Sequence, residues 1–299
     1  MGFYKNSADP LEQKITLSEA IIEYDKSLKA RAQKALDDFF NTQEDSIYLM
    51  GPTSYLISIC GTKIAVDPQI RRKEDFEDLK GLLLSYLPSL DGILISHEHD
   101  DHFSTPLAKL LKHTHLHWYL PKGMRKSCVD ESELLEKNIT FVKEGDTLKI
   151  GSLSIEVYNS LHVPFGRTDE LVERAFFISC DKGSIFLPGD VREYEYVGYH
   201  GMKKPDLCIA HVWAGDNSID ANLYLPKMDA EAKFLSAFNA DFYFLAHLYE
   251  IGRDQAHMWD IGHANMLAER IKKHNNNAKV NIPIVGCGYH LFSAKEIEK

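Results

Sequence analysis

The apolar run "DGILIS", residues 91–96, ends at six polar residues in a row: His97, Glu98, His99, Asp100, Asp101 and His102. A short run of Ile and Leu without helical spacing reads as a buried strand. Burying the six side chains that follow would be costly unless each found a partner. The strand therefore has to stop at a rim of the fold, and strand ends are where α/β proteins place their chemistry. Within the cluster, His97, His99, Asp101 and His102 form an HxHxDH pattern of imidazoles and carboxylates, the usual ligands of zinc, manganese and iron. In an extended chain alternate side chains share a face. That spacing would turn His97, His99 and Asp101 one way and His102 another, an arrangement that suits two adjacent ions better than one. A solvated polar loop is the bland alternative, but three histidines in six residues are uncommon in such loops.

The rest of the chain alternates strands and helices. Residues 11–42 have apolar residues at helical spacing and no Pro or Gly, which predicts a helix. "SIYLM", "SYLISIC" and "TKIAVDP" are short, β-rich and separated by turns, as in a meander. A helix follows over 74–87. After the histidine cluster, Thr105 reads as an N-cap with Pro106 at the first helical position. The helix runs on through 107–113. The pattern continues with a strand at 116–121 and a short helix at 131–138. Strands then lie within 139–144, 147–160, 174–180, 183–190 and 205–212. Last come a helix at 229–239, a strand at 240–247, a helix at 263–274 and a strand at 280–286. This order suggests two packed sheets with helices outside, an α/β layered domain. The expected division is an N-terminal helical extension, 1–45, and a catalytic domain, 46–299. The extension suits packing over the sandwich or a subunit contact, which leaves a homo-oligomer open.

Composition narrows the partners. With 299 residues, 44% of them hydrophobic, the chain can build a large core. A net charge of −10 disfavours a binder that grips nucleic-acid phosphates through Lys and Arg. No stretch is apolar enough to span a membrane, and the first residues have no signal-peptide core. Gly2 does not complete a myristoylation motif, because position 6 is Asn. The five cysteines, Cys60, Cys128, Cys180, Cys208 and Cys287, show no CxxC spacing, and four sit in apolar runs. They read as buried free thiols of a cytoplasmic protein.

One loop cannot close two metal sites, so further ligands must come from other strand ends. "SIEVYNSLH" ends in His162, "SIFLPGD" in Asp190 after a glycine that permits a tight turn, and "DFYFLAH" in His247. Each alone is more often a capping or hydrogen-bonded residue. Alongside the first cluster, together they read as ligands.

"HEHDDH", His162, "PGD" and "LAH", in this order, resemble the metallo-β-lactamase superfamily, and "GTKIAVDP" resembles its early strand. The resemblance covers about residues 46–292. It implies a four-layer αββα sandwich, here with an extra N-terminal helix, and a metal site at one edge between the sheets. It implies that His97, His99 and His162 hold one ion and Asp101, His102 and His247 a second, with Asp190 bridging. Asp67 would hydrogen-bond a ligand histidine and so orient the loop. The implied cofactors are two divalent metal ions, zinc foremost, with manganese or iron as alternatives.

Several branches of that family can be set aside. Secreted β-lactamases usually carry a cysteine ligand, flavodiiron proteins a Glu where His99 stands, and β-CASP nucleases a much longer chain. Glyoxalase II members share the ligand set. "KKPDLCIAHVWAGDN" followed by "LPKMDAEAKFLSAFNADFYFLAH" resembles in layout the ascorbate-6-phosphate lactonase relatives. Paired cations lower the pKa of a bridging water towards about 7 and polarise a substrate carbonyl or phosphoryl oxygen. Asp101 can accept the water's proton. Arg192, His211, Trp213 and His257 are candidate substrate contacts, Arg192 for an anionic group. The row His113, His115 and His117 reads as a solvated face. The expected protein is thus a dinuclear metallohydrolase acting on a lactone or ester of a small anionic metabolite. The alternatives are a phosphodiesterase or nuclease on the same site, or a non-catalytic binding protein of the same fold.

Overall fold

The computed structural model describes residues 17–160, 162, 173–194, 199, 201–250 and 254–291. Fourteen strands form two seven-stranded sheets among these residues. In the first sheet, β1 (Ser46–Leu49), β2 (Tyr55–Ile59) and β3 (Thr62–Val66) make an antiparallel meander. Next to β3 lie β4 (Gly92–Leu94), β5 (Trp118–Pro121) and β6 (Ile139–Val142), all parallel to it. The second sheet repeats the plan. An antiparallel set, β7 (Thr147–Ile150), β8 (Leu153–Ser160), β9 (Glu173–Ser179) and β10 (Ser184–Gly189), leads into three strands parallel to β10. These are β11 (Leu207–His211), β12 (Phe242–Ala246) and β13 (Lys279–Asn281). The last strand, β14 (Gly288–His290), returns to pair with β1 on the first sheet.

Most strands are apolar on both faces because both faces are covered. Along β9, Phe176 and Ile178 point between the sheets, while Phe177 points out beneath the helices. The central core joins Ile57, Val66 and Leu94 of the first sheet to Phe176, Ile209 and Phe244 of the second. On the outer face of the first sheet lie α1 (Leu17–Asn41), α2 (Lys73–Tyr86) and α3 (Thr105–Leu111). They bury Leu36, Phe39, Leu79 and Leu107 against Leu56, Ile93 and Trp118. On the outer face of the second sheet, α4 (Ala221–Ala237) and α5 (Ile261–His274) cover Phe186 and Tyr243 with Ala232, Leu235 and Leu267. Helix, sheet, sheet, helix is the four-layer αββα sandwich expected. The N-terminal helix packs over the first sheet beside α2, with Phe40 stacked on Tyr86 at 4.9 Å. Residues 11–16 of the expected helix lie outside the described residues. No described helix is long and apolar enough to cross a membrane.

Several local expectations need correction. The cap of α3 is Ser104, whose hydroxyl accepts from Leu107 N at 3.2 Å, one residue before the Thr105 expected. The helix expected over 131–138 is a π turn, Lys126–Glu131, and a separate 3-10 turn, Glu136–Asn138. α4 begins eight residues before the predicted 229, because the Asp220 side chain caps it through Asn222 N and it carries Pro226 inside. The expected last strand, 280–286, is cut short at Asn281, before Pro283, which has no N–H to give a ladder. Cys128, Cys208 and Cys287 are buried free thiols, but Cys60 and Cys180 are half-exposed and joined as a disulfide. At a sequence separation of 120, only the folded sheets bring them together.

Candidate metal centre

The site lies at one edge of the sandwich, where strands of both sheets end. From the first sheet come Asp67, directly after β3, and residues 97–102, after β4. From the second come His162 beyond β8, Asp190 after β10, His211 at the end of β11 and His247 after β12. Three strand ends are turned towards the site by left-handed backbone: Asp67 at φ 48°, Gly189 at 81° and His247 at 66°. Gly189 has a second constraint, since a Cβ there would meet Glu173 Oε1 at 2.5 Å.

The donors fall into two groups, His97 with His99 and His162, and Asp101 with His102, Asp190 and His247. Within each group the ligand atoms lie within 4.8 Å of one another. In the first, His99 Nδ1 is 3.0 Å from both His97 Nε2 and His162 Nε2. In the second, His102 Nε2 is 3.4 Å from Asp190 Oδ2 and 3.8 Å from Asp101 Oδ2, which is 3.4 Å from His247 Nε2. The strict alternation expected for 97–102 fails at Asp101. His102 N and Phe103 N both donate to His99 O, so the segment turns and carries Asp101 to the side of His102.

Buried partners hold these side chains. Asp67 Oδ2 accepts from the Ser96 hydroxyl at 2.6 Å and lies 2.8 Å from His102 Nδ1, while Oδ1 accepts from Ser96 N. His211 Nδ1 donates to Asp190 Oδ1 at 2.5 Å, and Tyr55 Oη lies 2.8 Å from its Nε2. Both ring nitrogens of His211 are thus engaged, which leaves none for a substrate. Arg192 and Trp213 stand together, the guanidinium 3.8 Å from the indole centroid, and the Trp213 ring lies 6.4 Å from that of His247. His257 is exposed on a 3-10 turn, Gln255–His257, and joins neither group. His113 and His115 are exposed, and His117 Nε2 lies 2.8 Å from Thr140 Oγ1.

Two acidic residues belong to the site without having been signalled. Glu173 opens β9 and is fully buried. Its Oε1 accepts from Asp190 N at 2.7 Å and lies 3.3 Å from His97 Nδ1, and Oε2 accepts from the Ser160 hydroxyl at 2.6 Å. Glu250 places Oε2 3.2 Å from His247 Nε2 and pairs its other oxygen with Arg71. Neither stands at the end of an apolar strand, the one pattern that marked the others.

Burial pushes the pKa of His97 well down and lowers that of His99, so both rings are neutral and have a lone pair to give. Burial, aided by Arg192, holds His162 at about 3. His102 differs. Burial works against its charge, but Asp190, Asp101 and Asp67 outweigh it and hold the pKa well above the usual imidazole value. The protein has thus packed three carboxylates around one imidazole, an excess of buried negative charge that calls for a cation. His102 Nε2 is buried without a hydrogen-bond partner. Ligands about 2.1 Å from a tetrahedral ion stand roughly 3.4 Å apart, and the donor separations of 3.0 to 3.8 Å bracket that spacing. The residues fit divalent metal.

The fold and this rim of histidines and aspartates match a known family. The chain belongs to the beta-lactamase superfamily, whose domain model matches residues 46–223. None of the curated proteins matches the sequence. Among solved structures the chain is similar to an isothiocyanate hydrolase from Delia radicum gut bacteria, with 16% identity and a TM-score of 0.60 over 83% of this chain and all of that one. It is also similar to Igni18, a metallo hydrolase from Ignicoccus hospitalis, with 16% identity and a TM-score of 0.57 over 83% and 99% of the two chains. A third is CmlA, a diiron beta-hydroxylase from Streptomyces venezuelae, with 15% identity and a TM-score of 0.59 over 81% and 53%. At these identities the likeness is one of fold. Hydrolases and a hydroxylase share it, so the reaction has to be read from the site.

Proposed function

We propose that the protein is a metal-dependent hydrolase that binds two divalent ions, zinc foremost, and opens a lactone or ester of a small anionic metabolite. His97, His99 and His162 would hold one ion, and Asp101, His102 and His247 the other, with Asp190 between them. The observation that carries this reading is the convergence of seven buried or half-buried donors, in two groups, from separate strand ends of both sheets. Bound ions would lower the pKa of a water molecule and polarise the substrate oxygen. The side chains do the rest. Asp101 is held well below the usual carboxylate range; burial opposes this, but His102 and His247 outweigh it. It is thus ionised, with lone pairs to give to a cation. Asp67 and Glu173 fix His102 and His97 from behind, and His211 fixes Asp190.

Arg192 supports an anionic substrate. Its side chain is 15% exposed, and its one ion pair among the described residues is with Asp216 at 3.9 Å. Its Nε is buried without a hydrogen-bond partner. Its charge helps to lower the pKa of His99 and His162. A guanidinium held 3.8 Å from the Trp213 ring centroid can still grip a carboxylate or phosphate through its N–H groups. The lactone is suggested by the layout shared with the lactonase-like branch. Metal analysis of the purified protein, followed by a panel of lactones, bis(p-nitrophenyl) phosphate and cyclic nucleotides, tests the proposal. The expected result is roughly two ions per chain and lactone turnover, both lost in His99→Ala and Asp190→Ala. Turnover of phosphodiesters alone would overturn the lactone reading. Failure to take up any divalent ion would overturn the hydrolase.

A further inference from the structure

We propose that Cys60 and Cys180 form a reversible thiol–disulfide site that clasps the two sheets at the end of the sandwich remote from the metal centre. Tyr55, at one end of β2, touches His211, and Cys60 follows the other end. Glu173, at one end of β9, supports Asp190, and Cys180 follows the other end. The pair therefore joins a turn of the first sheet to a turn of the second, across 120 residues of chain. This inference stands apart from the hydrolase proposal.

Three features make the site a built one. Cys60 and Gly61 form the two-residue turn between β2 and β3, with Ile59 opposite Thr62 and φ of 51° and 75°. Such a turn needs left-handed backbone at both positions and favours Asn-Gly, so cysteine there holds an unfavourable conformation. Next, Asp45 ties the two turns independently of sulfur. Its Oδ1 accepts from Cys60 N at 2.8 Å, and its Oδ2 accepts from Lys182 Nζ at 2.6 Å. The two turns thus share one contact besides the sulfur bond. Finally, Asp181 Oδ1 lies 3.1 Å from Cys60 Sγ, placed to accept from the thiol of the reduced form. Both cysteines are half-exposed, within reach of a soluble partner, whereas Cys128, Cys208 and Cys287 are buried.

The reaction is exchange with a low-molecular-weight disulfide such as oxidised glutathione. One cysteine, as thiolate, attacks a glutathione sulfur, the glutathione S–S bond breaks and one glutathione thiolate leaves. The second cysteine attacks the mixed disulfide, forms the Cys60–Cys180 bond and expels the second glutathione. Two protein thiols are oxidised, one glutathione disulfide is reduced to two thiols, and both cysteine protons pass to the departing thiolates. Closing so long a loop constrains the unfolded chain, and oxidation should raise Tm by roughly 5–10 °C.

The test uses the full chain in defined ratios of reduced to oxidised glutathione. Intact mass, non-reducing peptide mapping and Tm are read at each ratio for wild type, Cys180→Ser and Cys60→Ser. Cys180→Ser leaves the β2–β3 turn unaltered, so it separates loss of the bond from damage to that turn. The expected outcome is loss of two hydrogens from wild type, one crosslinked peptide joining Cys60 to Cys180, and the Tm rise. In both variants the rise should be absent and Tm should stay near that of reduced wild type. Three results would overturn the proposal: a mixed glutathione adduct that never resolves, a Tm rise that persists in Cys180→Ser, or zinc protecting both thiols of the reduced protein from alkylation. The last would make Cys60, Cys180 and Asp181 a metal site instead.

Discussion

Replacing Glu173 by Ala is the sharpest probe of how the site is held. Glu173 accepts from Asp190 N at 2.7 Å and from the Ser160 hydroxyl at 2.6 Å, and it stands 3.3 Å from His97 Nδ1. Truncation leaves two buried donors without acceptors, at about 1–3 kcal/mol each, so stability should fall by about 2–6 kcal/mol. The empty volume left behind adds to the loss. Because Asp190 and His97 belong to different donor groups, zinc affinity should fall about 10- to 100-fold, the usual effect of removing a residue that orients ligands. Glu173→Gln provides the contrast. Burial, with Asp190 beside it, pushes the Glu173 carboxyl up to about 8, so in the metal-free protein it is largely the neutral acid at pH 7. A glutamine keeps an acceptor for Asp190 N, and its amide can donate to Ser160 Oγ once that hydroxyl turns from donor to acceptor. Its stability should lie within about 1 kcal/mol of wild type. Urea denaturation and competition with a zinc chelator measure the two quantities separately. If Glu173→Ala kept wild-type stability and zinc affinity, the role assigned to these hydrogen bonds would be refuted.

Gly189→Ala should lose several-fold in metal content and about 2–4 kcal/mol in stability. The cause is a left-handed position at which the new methyl would meet Glu173 Oε1 at 2.5 Å; an unchanged denaturation midpoint would show that the turn relaxes freely. At the start of α5, Asp260 caps His263 N at 2.9 Å and lies 2.7 Å from His263 Nδ1. Burial opposes the His263 charge, but Asp260 raises its pKa, and His263 in turn helps to lower that of Asp260. The histidine's contribution should be present below pH about 6.5 and be lost as pH rises through the higher folded value. That of Asp260 should be present above pH about 4 and be lost as pH falls through its lower one. Asp260→Asn should flatten both flanks of a Tm-against-pH curve while costing about 1 kcal/mol or less as a cap.

The layers were legible, and so was the gathering of polar residues at one rim, because His97, His162, Asp190 and His247 each close a strand-like run that has to end there. What was not legible depended on contacts distant in sequence or on local turns. Glu173 sits in "DELVERAFFISC", where nothing distinguishes it from its acidic neighbours until β8 and β10 close around it. Asp101 was assigned a face by strand alternation, but the turn onto His99 O overrides that periodicity. His211 looked like a pocket-facing group because it ends a strand, yet Tyr55 and Asp190 occupy both of its nitrogens. α4 extends upstream of the expected 229 because the Asp220 cap lies ahead of Pro226, which the helix carries inside. The cysteine pair has no local signature at all.

The seven donors are divided four to three between the sheets, with residues 97–102 on one side and 162, 190 and 247 on the other. If they ligate as proposed, neither half of the chain supplies a complete ligand set, and bound ions would add to the apolar core in holding one half against the other. Loss of metal would then loosen the rim end of the sandwich first and make the chain more sensitive to protease. Limited proteolysis between residues 143 and 147, where the chain passes from β6 to β7, would read that directly.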